Sequence, residues 1–157
     1  MDQSFPSKEK LKSATLISQL FAEGDSVSKY PIRLVFTKLE DEVKIKAGVS
    51  VSKRSFKKAV ARNRIKRLLR EAYRLNKHLF FDTVEGDSYG FMFLYTGKEM
   101  PTFEKLNSVM QKLHQKFQER MQSSICNRKQ KLWRVPFVGS RRGQVVTWKF
   151  HPSIANC

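Results

Sequence analysis

The sequence predicts an α+β fold, an α/β sandwich in the order α-β-β-α-β-α with its helices on a small, mostly antiparallel sheet. Three observations carry this: three stretches with apolar residues at helical spacing, two alternating runs ahead of the second stretch, and one short continuously apolar run after it. The 157 residues are 40% apolar, enough to bury one core. The expected division is one domain over 1–127 and a basic appendage over 128–157, weakly ordered or folded as a hairpin.

Lys8 to Ala22 reads as the first helix, with Leu11, Leu16, Ile17, Leu20 and Phe21 at spacings of three and four and Gly24 as its stop. Pro31 to Thr37 alternates as a strand. After the acidic turn LEDE, Val43 to Val51 alternates again, with Val43, Ile45, Ala47, Val49 and Val51 on one face, so the two runs are expected to form an antiparallel hairpin. Gly48 within the second run points to a bulge or to something packed close to the backbone. A second helix begins near Ala59. Ala61, Ile65, Leu68, Leu69, Ala72 and Leu75 share one arc, and Arg62, Asn63, Lys66, Arg67, Arg70 and Arg74 share the opposite one. Arg64 falls at the border, which predicts partial burial or a contact reaching around the helix. Beyond the turn EGDS, Tyr89 to Tyr95 (YGFMFLY) fits a buried central strand. The last helix starts after Thr102 as N-cap and carries Phe103, Leu106, Met110, Leu113, Phe117 and Met121 down one stripe. From Arg128 the helical period stops, and the turn GSRRG could join strands at Trp133 to Val138 and Gln144 to Phe150.

The formal charge of +17 is local. Lys53 to Lys77 holds eleven Lys or Arg against the single acid Glu71, residues 128–157 hold seven against none, and the rest nearly cancels. Such clustering is the footprint of a phosphate-backbone binder, because a merely solvated helix face mixes both signs. No apolar run approaches the ~18 residues of a membrane span, and the amino-terminal MDQSFPSKEKLK lacks the basic-then-apolar order of a secretion signal. Cys126 and Cys157 stand outside any CxxC or Cys/His cluster and read as free thiols. The expectation is a cytoplasmic protein with no membrane partner.

A protein hydrolase needs a nucleophile beside a base, paired carboxylates or a metal cluster. None stands out. His78, His114 and His151 show no H-x-x-H or H-E-x-x-H spacing and read as ordinary helix or loop residues, and neither GxxxxGK[ST] nor GxGxxG occurs. No catalytic residue and no protein-bound metal is expected. The chain is equipped to hold a polyanion rather than to break one.

The run SVSKR (Ser50 to Arg54), followed at fixed offsets by Arg62-Asn63-Arg64, Lys66-Arg67 and Arg70-Glu71, resembles the bacterial ribonuclease P protein family. The resemblance covers Lys8 to about Asn127 and departs in the first element only at Arg54, where the family carries a second lysine. It implies a left-handed crossover for the basic helix, in a fold like domain 2 of ribosomal protein S5. It implies a noncatalytic subunit that binds ribonuclease P RNA and the 5′ leader of precursor tRNA, with the cleavage carried by the RNA and its Mg²⁺ ions. It assigns Arg62, Asn63, Arg64, Lys66, Arg67 and Arg70 to the RNA, with Lys53 and Arg54 at their flank. Guanidinium forks suit phosphate oxygens and stack on bases, and an Asn amide both donates and accepts at a nucleotide edge. It also implies a cleft for the leader between the first helix and the sheet, at Phe5, Ile17, Phe21 and Val35. Ile17 and Val35 are aliphatic where the family carries rings, and Ile17 and Phe21 equally suit core positions of the helix stripe. A structural RNA-binding protein of ribosomal type is the alternative that basic character permits.

Overall fold

The computed structural model describes residues 5–40, 43–84 and 86–132. The chain divides into two units, Met1–Glu119 and Arg120–Cys157. Of the second, only the helical residues 120–132 are described, so the expected hairpin at Trp133 to Phe150, His151 and Cys157 lie outside the described residues.

The first unit is built on a four-stranded sheet in the order β1 (Asp25–Lys29), β2 (Ile32–Leu39), β4 (Ser88–Tyr95), β3 (Ile45–Val51). With α1 (Ala14–Glu23), α2 (Ala59–Thr83) and α3 (Phe103–Leu132), the order is α-β-β-β-α-β-α. The β1–β2 and β2–β4 pairs are antiparallel and β3–β4 is parallel, so α2 crosses over between two parallel neighbours. The fold is the expected α+β type with one additional strand. That strand, DSVSK, buries only Val27 and carries no alternating apolar signal. It turns into β2 through Tyr30 and Pro31, joined by a cis peptide bond.

The hairpin expected between β2 and β3 does not form. Both pair instead with β4, which lies between them: Leu34 faces Phe93 on one side and Val49 faces Phe93 on the other. β4 is buried at Tyr89 through Phe93 and again at Tyr95. A strand apolar in both directions loses most water by taking the centre of a sheet, with a neighbour on each edge and cover on each face. β3 also starts at Ile45, two residues later than Val43.

Two faces of the sheet are covered differently. On one, the aromatic rings of Phe36, Phe91 and Phe93 meet Phe80 of α2 and Phe117 of α3, with centroids 4.9 to 6.0 Å apart. On the other, Leu20 of α1 packs with Leu11, Val35 and Met92. The stripe of α3 is as expected within this unit, with Leu106, Met110, Leu113 and Phe117 fully buried. Helix α3 continues to Leu132, past the point where helical period was expected to stop.

The first helix begins at Ala14, not at Lys8. Ser13 caps it, its hydroxyl accepting from the Leu16 N–H. Lys8 lies in a 3-10 turn (Ser7–Glu9), and Leu11 donates its N–H to the Ala47 carbonyl at 3.0 Å, so this segment extends the sheet beyond β3. The open edge of β3 offers unpaired carbonyls, and pairing them outweighs the helical preference of Lys-Glu-Lys-Leu.

Candidate nucleic-acid interface

Helix α2 sets its cations by the face it buries. Ile65, Leu69, Ala72, Tyr73, Asn76 and Phe80 are its buried residues, so the apolar face is centred one position later than the sequence arc, and Leu68 and Leu75 are only half-buried. Asn76 is satisfied inside, its amide donating to the Ala72 carbonyl and to Asn107 Oδ1 at 2.8 and 2.6 Å. The rotation turns Asn63, Arg64, Arg67 and Arg70 to solvent. Arg64, expected to be partly buried or to make a contact reaching around the helix, is exposed, because Ile65 rather than the 61/68 pair marks the inner line of the helix.

Two of the segment's cations are paired with acids of the protein. Arg74 grips Glu71 through both oxygens, Nη2 to Oε1 at 2.6 Å and Nε to Oε2 at 3.0 Å. That grip holds the Glu71 carboxyl below its ordinary value and the Arg74 guanidinium above its own. The segment's only acid is thereby neutralised. Lys77 pairs with Glu9 at 2.8 Å with side chains 12% and 14% exposed, tying the amino-terminal segment to α2.

Arg62 has a duty within the protein that the sequence motif does not reveal. Its Nη1 donates to the carbonyls of Phe56 at 2.8 Å and Lys57 at 2.6 Å, folding the loop 52–58 against the start of α2. That loop carries the exposed Lys53 and Arg54. Among the described residues, no ion pair or hydrogen bond engages the side chains of Lys53, Arg54, Arg64, Lys66, Arg67 or Arg70. Six cations with no protein acid to satisfy them make a surface that gains by meeting phosphates.

A groove of about 630 Å³ lies beside this ridge, between α1, the amino-terminal segment and β3. Phe5, Ile17 and Phe21 line it, as the family resemblance implied. Val35 does not. It is buried beneath α1 with Leu20 and Met92, and Met92 reaches the groove in its place. In the pairing across the sheet, Val35, Met92 and Gly48 form one row. A Cβ at Gly48 would meet the Met92 methyl at 3.0 Å and Leu11 Cβ at 3.5 Å, so the glycine answers to close packing and not to a bulge.

Phe21 is 52% exposed and available for stacking, so it is no core residue, while Ile17 is half-buried and does both jobs. Phe5 is braced edge-on against Tyr73 at 5.6 Å and has Lys10 Nζ 5.7 Å from its ring centre. Beneath it, burial and the nearby Glu9 carboxylate hold the Tyr73 phenol protonated. Lys10, Lys12, Ser50 and Arg70 complete the polar lining. Neither Lys10 nor Lys12 is marked by a motif, because their approach depends on the bridge between Lys10 and Ala47. Arg70 belongs to both features, so the cationic ridge opens into the groove.

The family model for ribonuclease P matches residues 5–118, which contain both the ridge and the groove. The chain is 41% identical over 109 residues to a ribonuclease P protein component from Porphyromonas gingivalis, covering 66% of this chain and 79% of that protein. One from Chlorobium phaeobacteroides is 34% identical over 119 residues, covering 67% and 82%. Among solved structures, the RNase P protein of Staphylococcus aureus aligns with a TM-score of 0.56 at 19% identity, covering 67% of this chain and 91% of that one. That of Thermotoga maritima aligns at 0.55 and 22% identity, covering 68% and 96%. With a family match over most of its length and relatives of this identity, the chain belongs to the ribonuclease P protein family.

Proposed function

We infer that the chain is the protein subunit of ribonuclease P, binding the ribonuclease P RNA along the outer face of α2 and the precursor tRNA 5′ leader in the adjoining groove. The observation that carries this reading is the run of unengaged cations on loop 52–58 and α2, Lys53, Arg54, Arg64, Lys66, Arg67 and Arg70 among them, continuous through Arg70 with a groove walled by Phe5 and Phe21. Phosphates neutralise the ridge, and unstacked bases of a single strand rest on the rings.

Phosphodiester hydrolysis falls to the RNA and its Mg²⁺ ions. Mg²⁺ takes carboxylate oxygens when a protein binds it. Here the acid on α2, Glu71, is occupied by Arg74, and Glu9 by Lys77. Among the described residues no three His, Cys, Asp or Glu side chains converge to hold a metal, and no helix is long and apolar enough to cross a membrane. The reading places the protein in the cytoplasm with its RNA partners.

Reconstitution tests it. The protein added to ribonuclease P RNA and precursor tRNA at low Mg²⁺ stimulates 5′ leader removal. Absence of stimulation, with the protein cosedimenting with ribosomes after a high-salt wash, would favour the ribosomal-type role instead.

A further inference from the structure

We propose that Tyr30 is a stacking platform for one unpaired base of the ribonuclease P RNA, set at the same end of the sheet as the loop that carries Lys53 and Arg54. The proposal rests on the assignment of that loop to the RNA and extends the contact to a part of the fold that neither the ridge nor the groove includes.

Tyr30 is 68% exposed, far more than its packing neighbours, and among the described residues Phe21 of the groove is the other ring among the large apolar side chains left open. Its backbone is fixed, so the exposure is not that of a frayed turn. Pro31 is buried, and its carbonyl accepts from the Thr96 N–H at 2.9 Å and the Thr96 hydroxyl at 3.0 Å. Across that contact, a Cβ on Gly97 would meet Pro31 Cβ at 3.0 Å, so the two segments are in close register.

The neighbours decide the ligand. Tyr95 pairs with Ile32 at the start of β2 and with Val51 at the end of β3, so the Tyr30–Pro31 turn and the loop 52–58 leave the sheet at the same end. The Phe56 ring of that loop leans on Tyr95 at 5.9 Å, and the Tyr95 hydroxyl donates to the Glu99 carbonyl at 2.7 Å. Burial, with Tyr30 and Glu99 close by, holds the Tyr95 phenol above its ordinary value. Among the described residues, Lys29, Lys53, Arg54, Lys57 and Lys98 are exposed in the segments that leave the sheet at this end, against the exposed acids Glu99 and, in the first turn of α3, Glu104. A fixed, open aromatic ring among cations fits a base π-face flanked by phosphates, and an apolar protein partner would leave those charges unanswered.

The test is binding of the full chain to ribonuclease P RNA alone, with no precursor tRNA, for wild type, Tyr30→Ala, Tyr30→Phe and Arg67→Ala. Tyr30→Ala weakens binding at least about fivefold with an unchanged salt slope and an unchanged melting curve, and Tyr30→Phe stays at wild type. Equal affinity for Tyr30→Ala and wild type overturns the proposal, as does a deficit shared by Tyr30→Phe, or one seen only once precursor tRNA is added. Arg67→Ala separates the two readings: it lowers the salt slope if α2 holds the RNA, whatever Tyr30 does.

Discussion

Replacing Arg62 by Met keeps the aliphatic stem and the helical preference of the position but removes the donors that hold the loop 52–58. In the native protein Nη1 serves two carbonyls, at 2.8 Å and 2.6 Å. Hydrogen bonds from a charged donor are worth about 1.5 to 3 kcal/mol each when buried. One of this pair is partly buried and the other exposed, so solvent competition leaves about 1 to 2 kcal/mol in total. That raises the population of opened loop about five- to thirtyfold. Trypsin reads it directly, since Lys53, Arg54, Lys57 and Lys58 lie in the loop and cleavage of a briefly opened segment tracks its population. Arg62→Met is therefore cut in the loop about five to thirty times faster than wild type, and Arg67→Met, which removes the same charge further along the helix, is cut at the wild-type rate. Equal cleavage of Arg62→Met and wild type would refute the clamp and leave Arg62 as one more surface cation.

Leu69→Ala lowers stability by about 2 to 5 kcal/mol as a fully buried truncation, whereas Leu68→Ala costs less than half of that in the same urea titration, since Leu68 is half-buried. Glu9→Gln leaves the Lys77 ammonium, 12% exposed, without its carboxylate, and lowers stability by about 1 to 3 kcal/mol; an unchanged midpoint would mean the pair is worth nothing net. His114 is buried against Phe80 with its Nε2 2.8 Å from the Thr83 hydroxyl. Burial lowers its pKa, with the Leu79 backbone partly opposing. The unfolded chain thus takes the proton first. The stability conferred by the neutral ring is complete above the unfolded value of about 6.5 and is lost as pH falls through the lowered folded value. The urea midpoint declines with pH in that window, and His114→Gln flattens the decline.

Much of the fold is legible in local pattern. The period of α2 and α3 and the apolar run of β4 report burial directly, because a helix stripe and a doubly covered strand are recorded in consecutive residues. Pairing is less accessible. Whether β2 meets β3 or β4 depends on which edge stays open after a strand much later in the chain is inserted, and LEDE looks like a hairpin turn in either arrangement. β1 leaves almost no signal because only Val27 of DSVSK is buried. In the site, the motif cations are legible as charges but not as engaged or unengaged. Arg62 and Arg74 look like Arg64 and Arg67 until the loop carbonyls and Glu71 are placed beside them. The family resemblance implies a groove residue, and a ring, at position 35, yet Val35 sinks under Leu20 and Met92 lines the groove instead.

The central claim is that the outer face of α2 holds the ribonuclease P RNA through its unengaged cations. Its most direct measurement is the salt dependence of binding to that RNA for wild type and for a variant with Arg64, Arg67 and Arg70 all changed to Ala. The log–log slope falls by about 0.7 to 0.9 for each phosphate no longer neutralised, so the triple variant binds with a slope shallower by about 2 to 3 while its melting curve is preserved. A triple variant that binds with the wild-type slope and affinity would show that the RNA lies elsewhere on the protein.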